Sequence, residues 1–215
     1  MSLLKKAVAE HLDAVSEFFS RNEKALEELA KKTAACFKNG NKIMFAGNGG
    51  SACDAMHIAG EFVGRFVDDR VALPAIALSA DSGIITAVGN DYGFEKIFSR
   101  QIEALGKNGD IFVALSTSGA SPNIITALHA AKTKGIDAIL LTGKKGKASR
   151  EANLVLFVDS ETTARIQETH IIALHILALL TEAELFAKPE EFGGRGGLEP
   201  TRYGDWETKG RVSDF

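Results

Sequence analysis

Two kinds of hydrophobic pattern alternate along this chain. Residues 3–20 and 22–38 carry apolar side chains at three- and four-residue intervals, Leu4, Val8, Leu12, Val15 and Phe19 in the first stretch and Leu26, Leu29, Ala30 and Phe37 in the second. That spacing predicts two amphipathic helices forming a hairpin, with Gly40 as the stop. Such a hairpin needs a surface to cover, either in its own monomer or on the hairpin of a second subunit. Five short apolar runs follow, at 43–46, 73–78, 111–115, 138–141 and 154–158. Runs of that length without polar alternation suit strands covered on both faces, and helical patterns separate them, so the expected class is α/β with a mainly parallel sheet. The last helical pattern, residues 162–186, is apolar nearly all round and should be deeply buried.

Composition narrows the class of protein. A chain of 215 residues with 45% hydrophobic content can bury a full core, and its net charge of −3 gives no reason to expect a nucleic-acid partner. Cys36 and Cys53 do not make a disulfide framework, which suits a reducing compartment. The amino end is broken by Lys5, Lys6 and Glu10 before any run reaches signal-peptide length, and no later run is read as a membrane span. The expected location is the cytoplasm.

The chemistry concentrates between residues 42 and 66, KIMFAGNGGSACDAMHIAGEFVGRF. An apolar strand breaks into Gly47-Asn48-Gly49-Gly50-Ser51, with Ser51 read as the N-cap of the helix that follows. A helix start of this kind offers free amides and the positive end of a dipole, to which an anion fits. His57 and Glu61 stand four apart on that helix and can converge on a metal or a substrate oxygen. Loops after the next two runs are also small and polar, Ser79-Ala80-Asp81-Ser82 and Ser116-Thr117-Ser118-Gly119-Ala120-Ser121, and the carboxyl ends of parallel strands should gather all three into one crevice. The third loop has hydroxyls, no lysine or arginine, and a Ser121-Pro122 helix start, a neutral cradle better suited to the terminal phosphate of a small sugar than to a triphosphate. Two other motifs fall short. Gly47-x-Gly49-x-x-Ala52 lacks the acidic residue of a dinucleotide fingerprint, and neither Ser116 nor Ser118 sits in a Gly-x-Ser-x-Gly elbow. On the last helix the polar residues Gln167, Glu168, His170 and His175 stand out. Gln167 and His175 are about 12 Å apart along the axis, so they serve one ion only if their side chains lean together, or if two chains contribute.

GNGGSACDAMHIAGEF, the VGNDYGF turn at 88–94, STSGASPN and RIQETHIIALHI together resemble the phosphoheptose isomerases of the sugar isomerase (SIS) domain superfamily, over roughly residues 1–187. The resemblance implies a three-layer αβα sandwich around a five-stranded parallel sheet and a homotetramer with active sites at subunit interfaces. It implies one zinc ion per site, held by His57, Glu61, Gln167 and His175. Substrate contacts are implied at Asn48, Gly49, Gly50, Ser51, Asn90, Asp91, Ser116, Thr117, Ser118 and Ser121, with Gln167 serving there too. The implied reaction interconverts sedoheptulose 7-phosphate and D-glycero-D-manno-heptose 7-phosphate through an enediol, the first step towards the heptose of lipopolysaccharide cores, with Glu61 as base and His175 as acid. Ala164 stands where many relatives carry an aspartate, which points to a slower enzyme, to substitution by Glu161, or to another sugar phosphate. The alternative within the superfamily is a non-catalytic sugar-phosphate-binding protein of the replication-initiator-associating type. The presence of Glu61 favours catalysis.

From Lys188 the composition shifts. Residues 188–215 hold six of the 21 glycines, two of the four prolines and the one tryptophan, so they read as a second segment, an extended arm anchored by Tyr203 and Trp206. GGRGGLEPTRYGDWETKGRVSDF resembles the carboxyl-terminal motif of the succinate dehydrogenase assembly factor 4 family, which implies a protein partner such as a succinate dehydrogenase flavoprotein subunit, or reuse of the arm as a clamp on its own tetramer.

Overall fold

The computed structural model describes residues 1–143 and 150–186, with the backbone of 207–208 and 211–212. Helix α1 (Leu3–Lys38) leads into β1 (Ile43–Gly47), α2 (Gly50–Val63), β2 (Ala75–Ala77), α3 (Ser82–Tyr92), a 3-10 turn (Phe94–Lys96) and α4 (Ser99–Leu105). Strand β3 (Ile111–Ser116), α5 (Pro122–Thr133), β4 (Asp137–Gly143), β5 (Leu154–Val158) and α6 (Thr163–Phe186) complete the main body. The five strands are parallel in the order β2-β1-β3-β4-β5, with Ile43 opposite Ile111 and Ile111 opposite Asp137.

Strand parity builds the three layers. Ile43, Phe45, Ile111, Val113, Leu115, Ile139, Leu141, Leu156 and Val158 point to one face and pack with Phe18 and Leu29 of α1, Ile58 and Phe62 of α2, and Leu174 and Leu177 of α6. Met44, Ala46, Phe112, Ala114, Ala138 and Leu140 point to the other and pack with Ile102 of α4 and Ile124 and Leu128 of α5. Both faces are therefore dry, which is why these strands read as continuous apolar runs. At the amino edge of the sheet Asp110, fully buried, receives the Lys42 ammonium at 2.6 Å and the amides of Lys42 and Lys107 at 3.0 and 2.8 Å. Burial alone would raise the pKa of its carboxyl, but these donors outweigh burial and hold it below the usual value.

Three expectations change. The amino-terminal hairpin is one 36-residue helix. Residues 3–38 contain neither glycine nor proline, the Asn22 amide bonds back to Phe18 O at 2.8 Å, and Arg21 pairs with Glu17 one turn earlier and with Asp159 at 3.1 Å, so nothing breaks the helix at its midpoint. Helix α2 starts two residues early: Gly49 is the N-cap, and Ser51 lies inside the helix, buried. Finally, α6 is long and apolar enough to cross a membrane, contrary to the sequence reading, but here it packs along α1 and α2 as a core helix. The expected anchors Tyr203 and Trp206 lie outside the described residues. Within that segment Glu207–Thr208 and Arg211–Val212 pair as short antiparallel strands.

His170 of α6 is fully buried, and neither ring nitrogen makes a well-formed hydrogen bond. Burial pulls its pKa down from 6.5 to about 4, with the Thr142 peptide opposing weakly. Between those values the unfolded chain binds the proton and the folded chain does not, so the fold loses stability as pH drops through this window. The variant His170→Met should flatten the acid side of a melting-temperature profile between pH 6.5 and about 4. Parallel wild-type and mutant profiles would rule out this source of acid sensitivity.

Candidate active site

The carboxyl ends of β1 and β3 deliver their loops to one place. Gly49, at φ +55°, makes the turn into α2, a conformation that an L side chain rarely adopts. The loop is then pinned from two sides. Ser79 Oγ donates to Gly47 O at 3.0 Å, and the Asn48 and Asn123 amides exchange hydrogen bonds at 3.0 and 2.8 Å. Asn123, buried on the first turn of α5, therefore ties the glycine loop to the serine loop.

Neither α2 nor α5 has a side-chain cap at its N-terminus, which leaves the Gly50 and Asn123 amides for an incoming anion, while those of Ser51, Ala52 and Ile124 turn back to Asn48 O, Gly49 O and Ser121 O. Ser121 is the N-cap of α5 and Pro122 its first residue, as expected, but its hydroxyl makes no cap bond and faces Ser116, with 3.4 Å between the hydroxyls. Ser116 Oγ accepts from Gly119 N at 3.1 Å and Ser118 Oγ from Ala120 N at 3.2 Å, while Thr117 O accepts from Gly143 N. The result is a small ring of hydroxyls and amides with no cation among its own residues, as the sequence suggested.

About two turns further along α2 three titratable side chains converge. His57 Nε2 lies 3.2 Å from Glu61 Oε1 and 3.3 Å from His175 Nε2. The ligand atoms of the three residues lie within 4.8 Å of one another. For bonds of about 2.0–2.1 Å a tetrahedral ion separates neighbouring donors by roughly 3.3 Å, and imidazole and carboxylate are the donors zinc takes in such sites, so these residues fit the metal that the resemblance implies. The Phe66 ring backs His175 with centroids 5.4 Å apart. Burial, followed by the neighbouring His57, lowers the His175 pKa while Glu61 opposes, so its ring is neutral and open to a ligand at neutral pH. Asp54, three residues before His57, keeps a buried Oδ2 without a partner. Burial raises its pKa, and the nearby His57 pulls the other way.

Other residues named from the sequence lie elsewhere. The Gln167 amide rests against Gly50, where a Cβ would come within 2.6 Å of its Nε2, so α6 crosses the start of α2 closely because residue 50 has no side chain. Gln167 thus lies against the start of α2. Asn90 and Asp91 are exposed near the end of α3, bonded to each other at 2.7 Å, on a helix with no buried residue. Ala164 is exposed on the first turn of α6, where the next residue, Arg165, ties that turn to Ala7 O of α1 at 2.6 Å. The contribution of Asn123 was missed, although its position just after Ser121-Pro122 was a usable signal, since a polar residue there must find a partner once the helix turns inward.

An α/β sandwich with uncapped helix starts at the carboxyl ends of its strands and a His-Glu-His cluster beside them defines a sugar-phosphate isomerase class of protein, and a model of the SIS domain matches residues 8–143. The chain is 53% identical over 162 residues to the phosphoheptose isomerase of Aneurinibacillus thermoaerophilus, covering 75% of this chain and 82% of the relative. Solved phosphoheptose isomerases from Francisella tularensis and Neisseria gonorrhoeae superpose with TM-scores of 0.75 and 0.70 at 35% and 39% identity. Each alignment covers 84% of this chain, with 98% and 99% of the respective structures. The chain belongs to the phosphoheptose isomerase family and is an enzyme. Residues 181–215 match a second model, described as a protein of unknown function (DUF1674).

Replacing Asn123 by alanine removes both bonds to Asn48 and leaves a half-buried amide unpaired, an expected loss of about 1–3 kcal/mol in denaturant unfolding. The same variant should bind inorganic phosphate more weakly, because the two loops lose their tie. Unchanged phosphate affinity in a destabilised variant would show that the tie serves the fold alone.

Proposed function

We propose that this chain interconverts sedoheptulose 7-phosphate and D-glycero-D-manno-heptose 7-phosphate. The observation that carries the reading is the convergence of His57, Glu61 and His175 about two helical turns beyond an uncapped, glycine-rich helix start. The phosphate binds at the amides and hydroxyls of residues 48–51 and 116–121, and the sugar extends from there towards the cluster. Glu61 shares Oε1 with His57, which leaves its second oxygen to act as base. It takes the proton from C1 of the ketose, and His175 gives a proton to O2, forming the enediol. Glu61 then returns its proton to C2 while His175 recovers one from O1, so the aldose forms with no net change in protons. A neutral imidazole can donate from its N–H in this way. His57, Glu61 and His175 would hold a zinc ion, which would supply polarisation of the carbonyl. Gln167, against Gly50, is assigned both to the substrate side and as the fourth ligand.

Other features support the remaining assignments. Leu4, Val8 and Leu12 form an exposed stripe on α1, a groove of about 430 Å³ between α1 and α6 is lined by Glu27, Ala30, Lys31, Leu180, Ala183 and Glu184, and α3 buries none of its residues. These surfaces suit contact with further copies of the chain, in a homotetramer whose sites draw Asn90 and Asp91 from a neighbour. A cytoplasmic location fits a soluble sugar-phosphate substrate. Residues 188–215 are assigned to a protein partner, with a succinate dehydrogenase flavoprotein subunit as the first candidate.

Purified protein should turn over sedoheptulose 7-phosphate and carry about one zinc per chain, and Glu61→Gln should lower kcat by at least about a hundredfold, a typical contribution of a general base. Metal-bearing protein that is inactive on this substrate would redirect the assignment to another sugar phosphate, and protein with neither metal nor activity would favour a binding role. Truncation at residue 187 should leave kcat, KM and oligomeric mass unchanged. A fall in any of them would reassign the arm to the enzyme itself.

A further inference from the structure

The cluster is carried by two helices distant in sequence, and a buried ion pair fastens them just below it. Glu182 stands seven residues after His175 on α6, two turns on and on nearly the same face. Its carboxylate accepts from Arg70 Nε at 2.6 Å and from the amides of Phe66 and Val67 at 3.1 and 3.3 Å. The Arg70 and Glu182 side chains are only 3% and 7% exposed. The rest of the guanidinium is spent on the end of α2: Nη2 donates to Glu61 O at 2.9 Å, and Nη1 faces Phe62 O at 2.8 Å, Gly64 O at 3.2 Å and Val71 O at 3.1 Å.

These contacts do more than close a loop. The carbonyls at a helix C-terminus lack partners within the helix, and here a cation fills that role on the residue whose carboxylate enters the site. By holding the Phe66 and Val67 amides, Glu182 also sets the Phe66 ring against His175. We propose that Arg70 and Glu182 are positioning residues that fix the Glu61 backbone and the His175 ring in register, so that metal ligation and proton transfer depend on this clamp. The part of the inference that concerns turnover rests on the isomerase reading, whereas the part that concerns metal does not.

A fold staple would affect only melting, whereas a positioning clamp should affect site chemistry with substrate binding spared, because the loops at 48–51 and 116–121 are untouched. In the full-length protein, Glu182→Gln keeps the shape of the side chain and removes the charge, while Arg70→Lys keeps the charge and loses the planar fork. Cobalt(II) titration with its visible spectrum reads the cluster without substrate. Both variants should bind cobalt about 10–100-fold more weakly, as outer-shell changes typically do. They should also lose about tenfold or more in kcat on sedoheptulose 7-phosphate, with KM within about twofold of wild type. A folded variant with wild-type cobalt affinity and kcat overturns the proposal, whatever its melting temperature. If Glu182→Gln does not fold, Arg70→Lys decides by the same readings. Wild-type protein inactive on this substrate would sink the isomerase reading, and the cobalt titration would still decide the clamp.

Discussion

The arrangement depends on how closely α2 and α6 approach on one face of the sheet. Helix α2 is fixed by β1, whose five residues are all buried, and by Ile58 and Phe62, which have no exposed surface. Helix α6 comes down on it through Ala173, Leu174 and Leu177, and at its upper end it can do so only because residue 50 is glycine. Were the helices an ångström or two further apart, His175 would face solvent and the separations of 3.2 and 3.3 Å among the three polar side chains would be lost. Apolar packing of this kind is not directional, so it brings the helices together without choosing a register. Register has to come from directional contacts, and the helices have few: Gln167 on Gly50 at one end and the charged pair below the cluster at the other.

This division explains what could be read from the sequence. Strand positions were legible because both faces of a parallel sheet demand apolar side chains, and β5 lies where its run predicted. The pairing of His57 with Glu61 was legible because it is local, one turn of one helix. That His175 joins them depends on a contact spanning 118 residues, which no local pattern encodes. The place of Gln167 was open for the same reason. Arg70 and Glu182 were invisible as single residues, since an arginine in a polar loop and a glutamate near the end of an apolar helix both read as solvent-facing until the fold buries them against each other. The helix break expected near residue 21 had no glycine or proline behind it, and side-chain bonding carries the helix through.

The serine loop shows the same logic at smaller scale. Its composition announced a hydroxyl cradle, but the sequence placed Ser121 as a cap, whereas its hydroxyl faces Ser116 and the cap bond is not made. Capping would have used one of the amides that the site needs free. A helix start in a phosphate site gives up some stability in this way, because each unfilled amide loses the bond a cap would have supplied. The exchange between Asn48 and Asn123 compensates by holding the two uncapped starts together without using their amides.

What a single chain does not provide is enclosure. His57 is about half exposed at its side chain, and α3 buries none of its 11 residues. A helix that short is not stable in water through its own hydrogen bonds, and α3 has little packing of its own to hold it. An enediol is a reactive species that survives best away from water, and catalytic dipoles act most strongly where water is excluded. The chain therefore positions its acid-base groups from within, through α2 and α6, but leaves open the wall that would shield them. Helix α3 and the Leu4, Val8 and Leu12 stripe of α1 also leave apolar area exposed. A second copy of the chain seated on these surfaces would bury that area and shield the chemistry at once.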